Sequence, residues 1–200
     1  MRLSGAHEVL ELAGWEGAGT DGAVVVLGEG GQWTVDSGQW VVGPAGLGLW
    51  RRMPWPVRDS VLQLEPPADP SSVLVVGDES VADRLRENGA SVAAADRLTL
   101  GALRAAGVVV LLAGHGALPA AAMAVLGARR VLVADATEAT FGLQDGIEFL
   151  SCASPEEAVA RADVARVHPG AMRSLRVLGA RAARDHRASV VYPRLAADLA

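Results

Sequence analysis

Lysine is absent from this chain: all 18 basic residues are arginine. That excludes a phosphate-binding loop of the Walker type, which grips its phosphates with a lysine. Cysteine occurs once, as Cys152. An intrachain disulfide framework is excluded, and a reducing, cytoplasmic location is the expectation. Asparagine also occurs once, as Asn88. With abundant Ala, Gly, Val and Leu, this is the bias of a high-GC bacterium. The N-terminus carries Glu8 and Glu11 where a signal peptide would be apolar. An uninterrupted run of ~20 apolar residues, the length of a membrane span, is missing. The nearest approach, residues 105–128, is broken by Gly107, Gly114, His115, Gly116 and Pro119. A net charge of −5 and a pI near 5.4 speak against wholesale nucleic-acid binding. The four histidines are scattered, Cys152 has no partner motif, and no metal-ligand spacing is found. No G-x-S-x-G or catalytic Cys-His signature is present.

What is present divides near residue 70. All five tryptophans lie before it, and both phenylalanines and the one tyrosine lie after it. The connection "LEPPADPSS" (64–72) has three prolines and reads as non-helical. Residues 1–70 therefore read as a small, β-rich, Trp-containing extension. Residues 5–13 suit a short helix. "GAVVVLGEGGQWTVDSGQWVVG" suits short strands or a hairpin. Pro54 and Pro56 forbid a regular helix around Trp55.

Residues 71–200 alternate strand and helix. Strands are expected over 72–77, 90–96, 108–114, 129–135 and 146–150. Helices are expected over 80–89, 99–107, 118–127, from 154 to at least 162, and over 169–188. Ser154, Pro155 and Glu157 form a capping box at one helix start. Asn88-Gly89 stops another. Short, continuous, valine-rich strands are covered on both faces, so the expected fold is α/β: a Rossmann-like, three-layer domain with a mostly parallel sheet. Right-handed crossovers then place every strand-to-helix loop on the C-terminal edge, where such sheets bind ligands.

Four loops reach that edge. In the first, Gly77 ends a strand and Ser80 can cap the next helix, but Asp78 and Glu79 put two negative charges there. Asp96 follows the second strand, where a dinucleotide enzyme places an acid for ribose hydroxyls; as a bare motif this is incomplete, since only the first glycine of G-x-G-x-x-G stands. In the third, "AGHGALP", Gly114 and Gly116 allow a ligand close to the backbone. His115 between them can hydrogen-bond a phosphate or act as acid or base, which makes it the candidate catalytic residue. In the fourth, Asp135, Thr137 and Glu138 supply polar groups, and Asp145-Gly146 is a turn. The C-terminal third is arginine-rich, and arginines at helical spacing are expected on a solvated helix face.

These motifs carry a resemblance. The run "GHGALPAAAMAVLGARRVLVAD" resembles the "G-x-G-L-P" loop, helix and "LLVTD" strand of group 1 glycosyltransferases, in particular their spore-maturation-protein-like branch. "LQDGIEFLSCASPEEAVARA" and "MRSLRVLGARAARDHRASVVYPRLAADL" match the segments that follow in that family. The match covers residues 73–200 and is most specific from 114 onward. It implies the C-terminal, donor-binding half of a GT-B fold, with a nucleotide sugar as substrate and no other cofactor. About seventy residues precede the matching part, fewer than a second complete domain of this type needs. The family's donor-gripping glutamate falls here on Ala121 or Ala122, and its partner acid on Ala113 or Gly114. Two alternatives stay open: a non-catalytic interaction module that kept the fold, engaging a protein partner or a second copy through "LWRRMPW", and a dinucleotide-binding protein resting on Gly77 and Asp96.

Overall fold

The computed structural model describes residues 2–4, 24–27, 39–42, 57–112, 119–135 and 143–191. Three short strands, β1 (Arg2–Ser4), β2 (Val24–Leu27) and β3 (Gln39–Val42), form a sheet of their own. β2 and β3 pair in parallel, so they are separate strands and not the two arms of a hairpin. The short helix expected over 5–13 lies outside the described residues.

The main body is a five-stranded, all-parallel sheet. Its strands are β4 (Val73–Val76), β5 (Val92–Ala95), β6 (Val108–Leu111), β7 (Val131–Asp135) and β8 (Leu150–Cys152). They lie in the order β5-β4-β6-β7-β8. The winding runs outward from β4 to β5, then reverses over β4 to β6 and continues the other way. That is the 2-1-3-4-5 order of a doubly wound sheet, which equals the six-strand Rossmann order short of its outermost third strand. The single reversal lies between β4 and β6.

Alternation along each strand divides the core into two layers. Leu74, Val76, Val109, Leu111, Leu132 and Ala134 face one way; Val73, Val75, Val108, Val110, Val131 and Val133 face the other. The second layer is covered by α2 (Glu79–Glu87) and α5 (Pro155–Val167). The first takes α1 (Asp59–Leu62), α3 (Leu100–Ala105) and α4 (Pro119–Gly127). Helix α6 (Arg173–Ala183) starts in the second layer with Leu175 and ends in the first with Ala183. Helices on alternate faces before and after the reversal are what right-handed crossovers require.

Polar contacts lock the layers. Arg84 of α2 pairs with Glu156 of α5 at 2.7 Å. At the C-cap of α2, Asn88 donates to Asp163, and Arg166 donates to the Asn88 carbonyl. The chain's one asparagine thus joins two helices as well as ending one. Behind the sheet, Arg130 is only 1 % exposed. Its guanidinium donates to the carbonyls of Leu103, Arg104 and Glu65. It thereby caps the C-terminus of α3 and holds the proline-rich connection. Burial, with Arg176 nearby, pushes its pKa down to about 10. Entry and exit segments are clasped: Val57 N–H donates to His186 C=O, Ala188 N–H donates to Val57 C=O, and Ser189 donates to the Asp59 carboxylate. Val57 and Val61, ahead of the prolines, are wholly buried in the first layer.

The backbone before β6 leaves no space for a side chain. A Cβ on Gly107 would overlap the Pro70 carbonyl, while Gly101 on the outer side of α3 faces open space. Gly107→Ala is therefore expected to lose about 1–3 kcal/mol in urea unfolding. Gly101→Ala is expected to gain about 0.5 kcal/mol through helix propensity. Equal effects from the two substitutions would contradict this packing.

Candidate functional site at the sheet edge

Parallel pairing brings the strand ends level. Val76 is in register with Ala95 on one side and Leu111 on the other. Leu111 is level with Ala134, and Asp135 with Cys152. Gly77 therefore stands between Asp96 and Leu112, with Asp135 on the next strand beyond Leu112. Asp96 and Asp135 are three strand spacings apart, roughly 14 Å at the usual interstrand distance. They cannot share a proton or a metal as a carboxylate pair. Among the described residues no group of three or more His, Cys, Asp or Glu side chains is arranged to hold a metal ion.

The loop after β4 is closed by its own side chains. Gly77 adopts φ 85°, a conformation that favours glycine, and its amide donates to Ala95 C=O at 2.9 Å. The turn delivers Asp78 to the N-cap of α2. Its Oδ1 accepts the amides of Ser80 (3.0 Å) and Val81 (3.3 Å) and the Ser80 hydroxyl (2.7 Å). Asp78, not Ser80, is the cap. Ser80 sits in the first turn with its amide and hydroxyl both engaged. Glu79 beside it pairs with Arg86. The positive end of the α2 dipole is thus met by two carboxylates before any ligand arrives.

The loop after β5 is likewise self-contained. Asp96 is exposed and the next helix does not use it: Thr99 is the N-cap of α3, its Oγ1 accepting the Ala102 amide at 3.2 Å. Leu98 between them is buried and plugs the loop onto the core. After β8, Ser154 Oγ accepts the Glu157 amide and Glu157 reaches back to the Ala153 amide at 2.8 Å. The capping box expected there is formed, its return bond one residue further back than the usual pattern.

The loop after β6 differs. Leu112 is still buried, and α4 begins at Pro119 with no acid in its first turn. Gly114, His115 and Gly116 lie outside the described residues, as do Thr137 and Glu138 after β7. Ala121 and Ala122, at the position of the family's glutamate, are 8 % and 0 % exposed and belong to the core. Asp135 is partly exposed at the end of β7. Burial, then the negative charge of Asp135, pushes the neighbouring Cys152 thiol up to about 11. That sulfur is a packed core group and not a nucleophile.

The edge thus brings together Gly77, Asp96 and Asp135 from the sequence-based set and ties Ser80 to Asp78. Asp78 was legible only as a nearby negative charge; the Asp-x-Ser spacing, which favours a side chain folding back onto the following amides, is the signal for its capping role. No protein-family model matches the chain, and no curated protein matches it.

Removing the Asp78 carboxylate leaves the Ser80 and Val81 amides open. Asp78→Ala is expected to lower stability by about 1 kcal/mol in urea unfolding, with Asp78→Asn nearer the parent. An unchanged midpoint for Asp78→Ala would contradict the cap.

Proposed function

We propose that the three-layer domain is the donor-binding half of a glycosyltransferase-type protein and takes a nucleotide sugar at the C-terminal edge of its sheet. The observation that carries the reading is the distribution of helix starts. Four helices begin on that edge. Asp78, Thr99 and Ser154 cap three of them from within, and acids fill the first turn of α2 and α5. Neither α3 nor α4 has an acid in its first turn, but α3 is capped by Thr99, whereas α4 starts directly after the Gly-His-Gly sequence. Free amides at a helix start attract phosphate, and two glycines before it let a diphosphate approach the backbone. The loop also leaves the sheet at its reversal point, where doubly wound sheets bind ligands.

In this reading the diphosphate lies against Gly114, Gly116 and the start of α4, and His115 hydrogen-bonds it or handles a proton at the leaving oxygen. Asp135, Thr137 and Glu138, at the next strand end, face the nucleoside or sugar hydroxyls. The resemblance of residues 114–199 to group 1 glycosyltransferases supports the same assignment. The dinucleotide alternative is weaker on physical grounds: a pyrophosphate on α2 would have to displace Asp78 from two amides and then sit beside Glu79.

One observation favours a second reading, a binding module without transfer activity. Ala121 and Ala122 supply no carboxylate to the donor. Charge-assisted hydrogen bonds contribute ~1.5–3 kcal/mol each, so their loss lowers donor affinity at least about tenfold. Both readings keep the nucleotide at the edge and differ only in turnover.

Thermal shift and calorimetry with UDP-, GDP- and dTDP-sugars test the site. One of them is expected to raise the melting temperature of the parent chain and not of His115→Ala. No response to any of the three would contradict donor binding, and stabilisation by NAD(H) would favour the dinucleotide alternative. Release of free nucleotide from the stabilising sugar would separate transfer from binding.

A further inference from the structure

The arginines on α2, α5 and α6 fall into two populations. Those on α2 and α5 are neutralised: Arg84 by Glu156, Arg86 by Glu79 and Asp83, Arg161 by Glu157, and Arg166 by Asp163. Those along α6 and its 3-10 extension (Arg184–His186) are not. Among the described residues, no carboxylate lies within ion-pair distance of Arg173, Arg181, Arg184 or Arg187, and all four are exposed. The segment from 173 to 187 holds five arginines against one acid, Asp185, in a chain whose net charge is −5.

Helical spacing puts these charges on one face. Leu175, Gly179 and Ala183 are buried and fix the inner side of α6. Arg173, Val177, Arg181 and Arg184 follow at intervals of four, four and three, so they form one stripe on the opposite side. Val177 is 60 % exposed, one turn from an arginine on either side, and Leu178 next to it is 37 % exposed. Elsewhere α6 is held tightly: a Cβ on Gly179 would press on Leu126 of α4 and on the Glu148 carbonyl. The outer stripe is therefore presented by a rigid support.

We propose that this stripe docks the protein on an anionic lipid surface, with α6 lying in the interface. The combination decides the occupant. Arginines alone would suit any polyanion, but an exposed valine at the centre of a basic stripe, with a leucine at its flank, gains only where there is an apolar layer beneath the charge. Unpaired arginines near anionic headgroups supply the long-range attraction. The acids of α2 and α5 are largely neutralised by their own arginines, so a chain that is negative overall still has one basic stripe that an anionic surface attracts. This is surface attachment and not insertion: no helix among the described residues is long and apolar enough to cross a membrane. The inference stands apart from the nucleotide site, which lies at the sheet edge.

Co-sedimentation of the full chain with vesicles tests it. Binding is expected to phosphatidylcholine vesicles containing phosphatidylglycerol, not to phosphatidylcholine alone, and is expected to be lost at high salt. Arg173→Gln with Arg181→Gln should weaken it roughly thirtyfold, at about fivefold per arginine. Val177→Ser should weaken it at unchanged charge. Arg84→Gln with Arg161→Gln removes equal charge from the paired layer and should leave it unchanged. Arg161 is partly buried and the other positions are exposed, and an unchanged melting temperature confirms the fold of each variant. The proposal is overturned if anionic vesicles do not bind the parent chain, if the two double variants behave alike, or if Val177→Ser binds as well as the parent. Tighter retention on a DNA duplex than on anionic vesicles, lost in the Arg173/Arg181 variant, would overturn it in favour of nucleic acid.

Discussion

Helix α4 is enclosed on all sides, and that enclosure governs much of the rest. It packs on the sheet, beneath α1 and against α6, and residues 121–126 are all buried. Gly127 lies under Leu62 of α1, and Gly179 of α6 closes onto Leu126. A helix in this position must be narrow, which its alanines achieve, and apolar all round. An unpaired carboxylate placed there would be buried without a partner, at a cost of several kcal/mol. The alanines are therefore core-filling residues first. Their effect on the proposed site follows from it: the buried body of α4 cannot supply polar groups to a ligand.

The same economy appears at the other helix starts. Asp78, Thr99 and Ser154 each satisfy amides that would otherwise be open. Local satisfaction stabilises the fold and removes three anion sites from an edge that could have had four. The charges follow a similar division. On α2 and α5 every arginine is paired with a carboxylate, Arg84 and Arg166 also joining the two helices, whereas on α6 glycine and leucine contacts do the holding and Arg173 and Arg181 face outward. One side of the molecule is electrostatically closed and another is open.

Much of this organisation was legible in the sequence. Valine-rich runs bounded by glycine marked the strands, and strict strand–helix alternation implied the parallel three-layer sheet. The Ser154 box and the Asn88-Gly89 stop were readable because capping is local. Errors came where two neighbouring residues compete for one role. Asp78 outcompeted Ser80 as a cap because its carboxylate reaches two amides at once. At the start of α3, Thr99 takes the cap and Asp96 stays exposed, with Leu98 between them turned into the core. The last strand runs over 150–152 and not 146–150, since Asp145-Gly146 and Ile147 form a turn in which the Asp145 carboxylate accepts the Ser151 amide. The long C-terminal helix begins at Arg173, after a turn at His168–Met172, and tightens at Arg184. Arg130 gave no signal, because an arginine before a valine run reads as a solvent-facing flank. Only the folded arrangement brings three carbonyls from distant segments to it.

The proposed site places the ligand at the loop after β6 and the start of α4, because the start of α2 is already closed by Asp78. Hydrogen exchange with mass spectrometry, on the full chain with and without UDP-, GDP- and dTDP-sugars in turn, separates the two helix starts. Slowed exchange is expected in peptides spanning 113–120, with unchanged exchange at 79–83. Protection at 79–83, with none at 113–120, would contradict it.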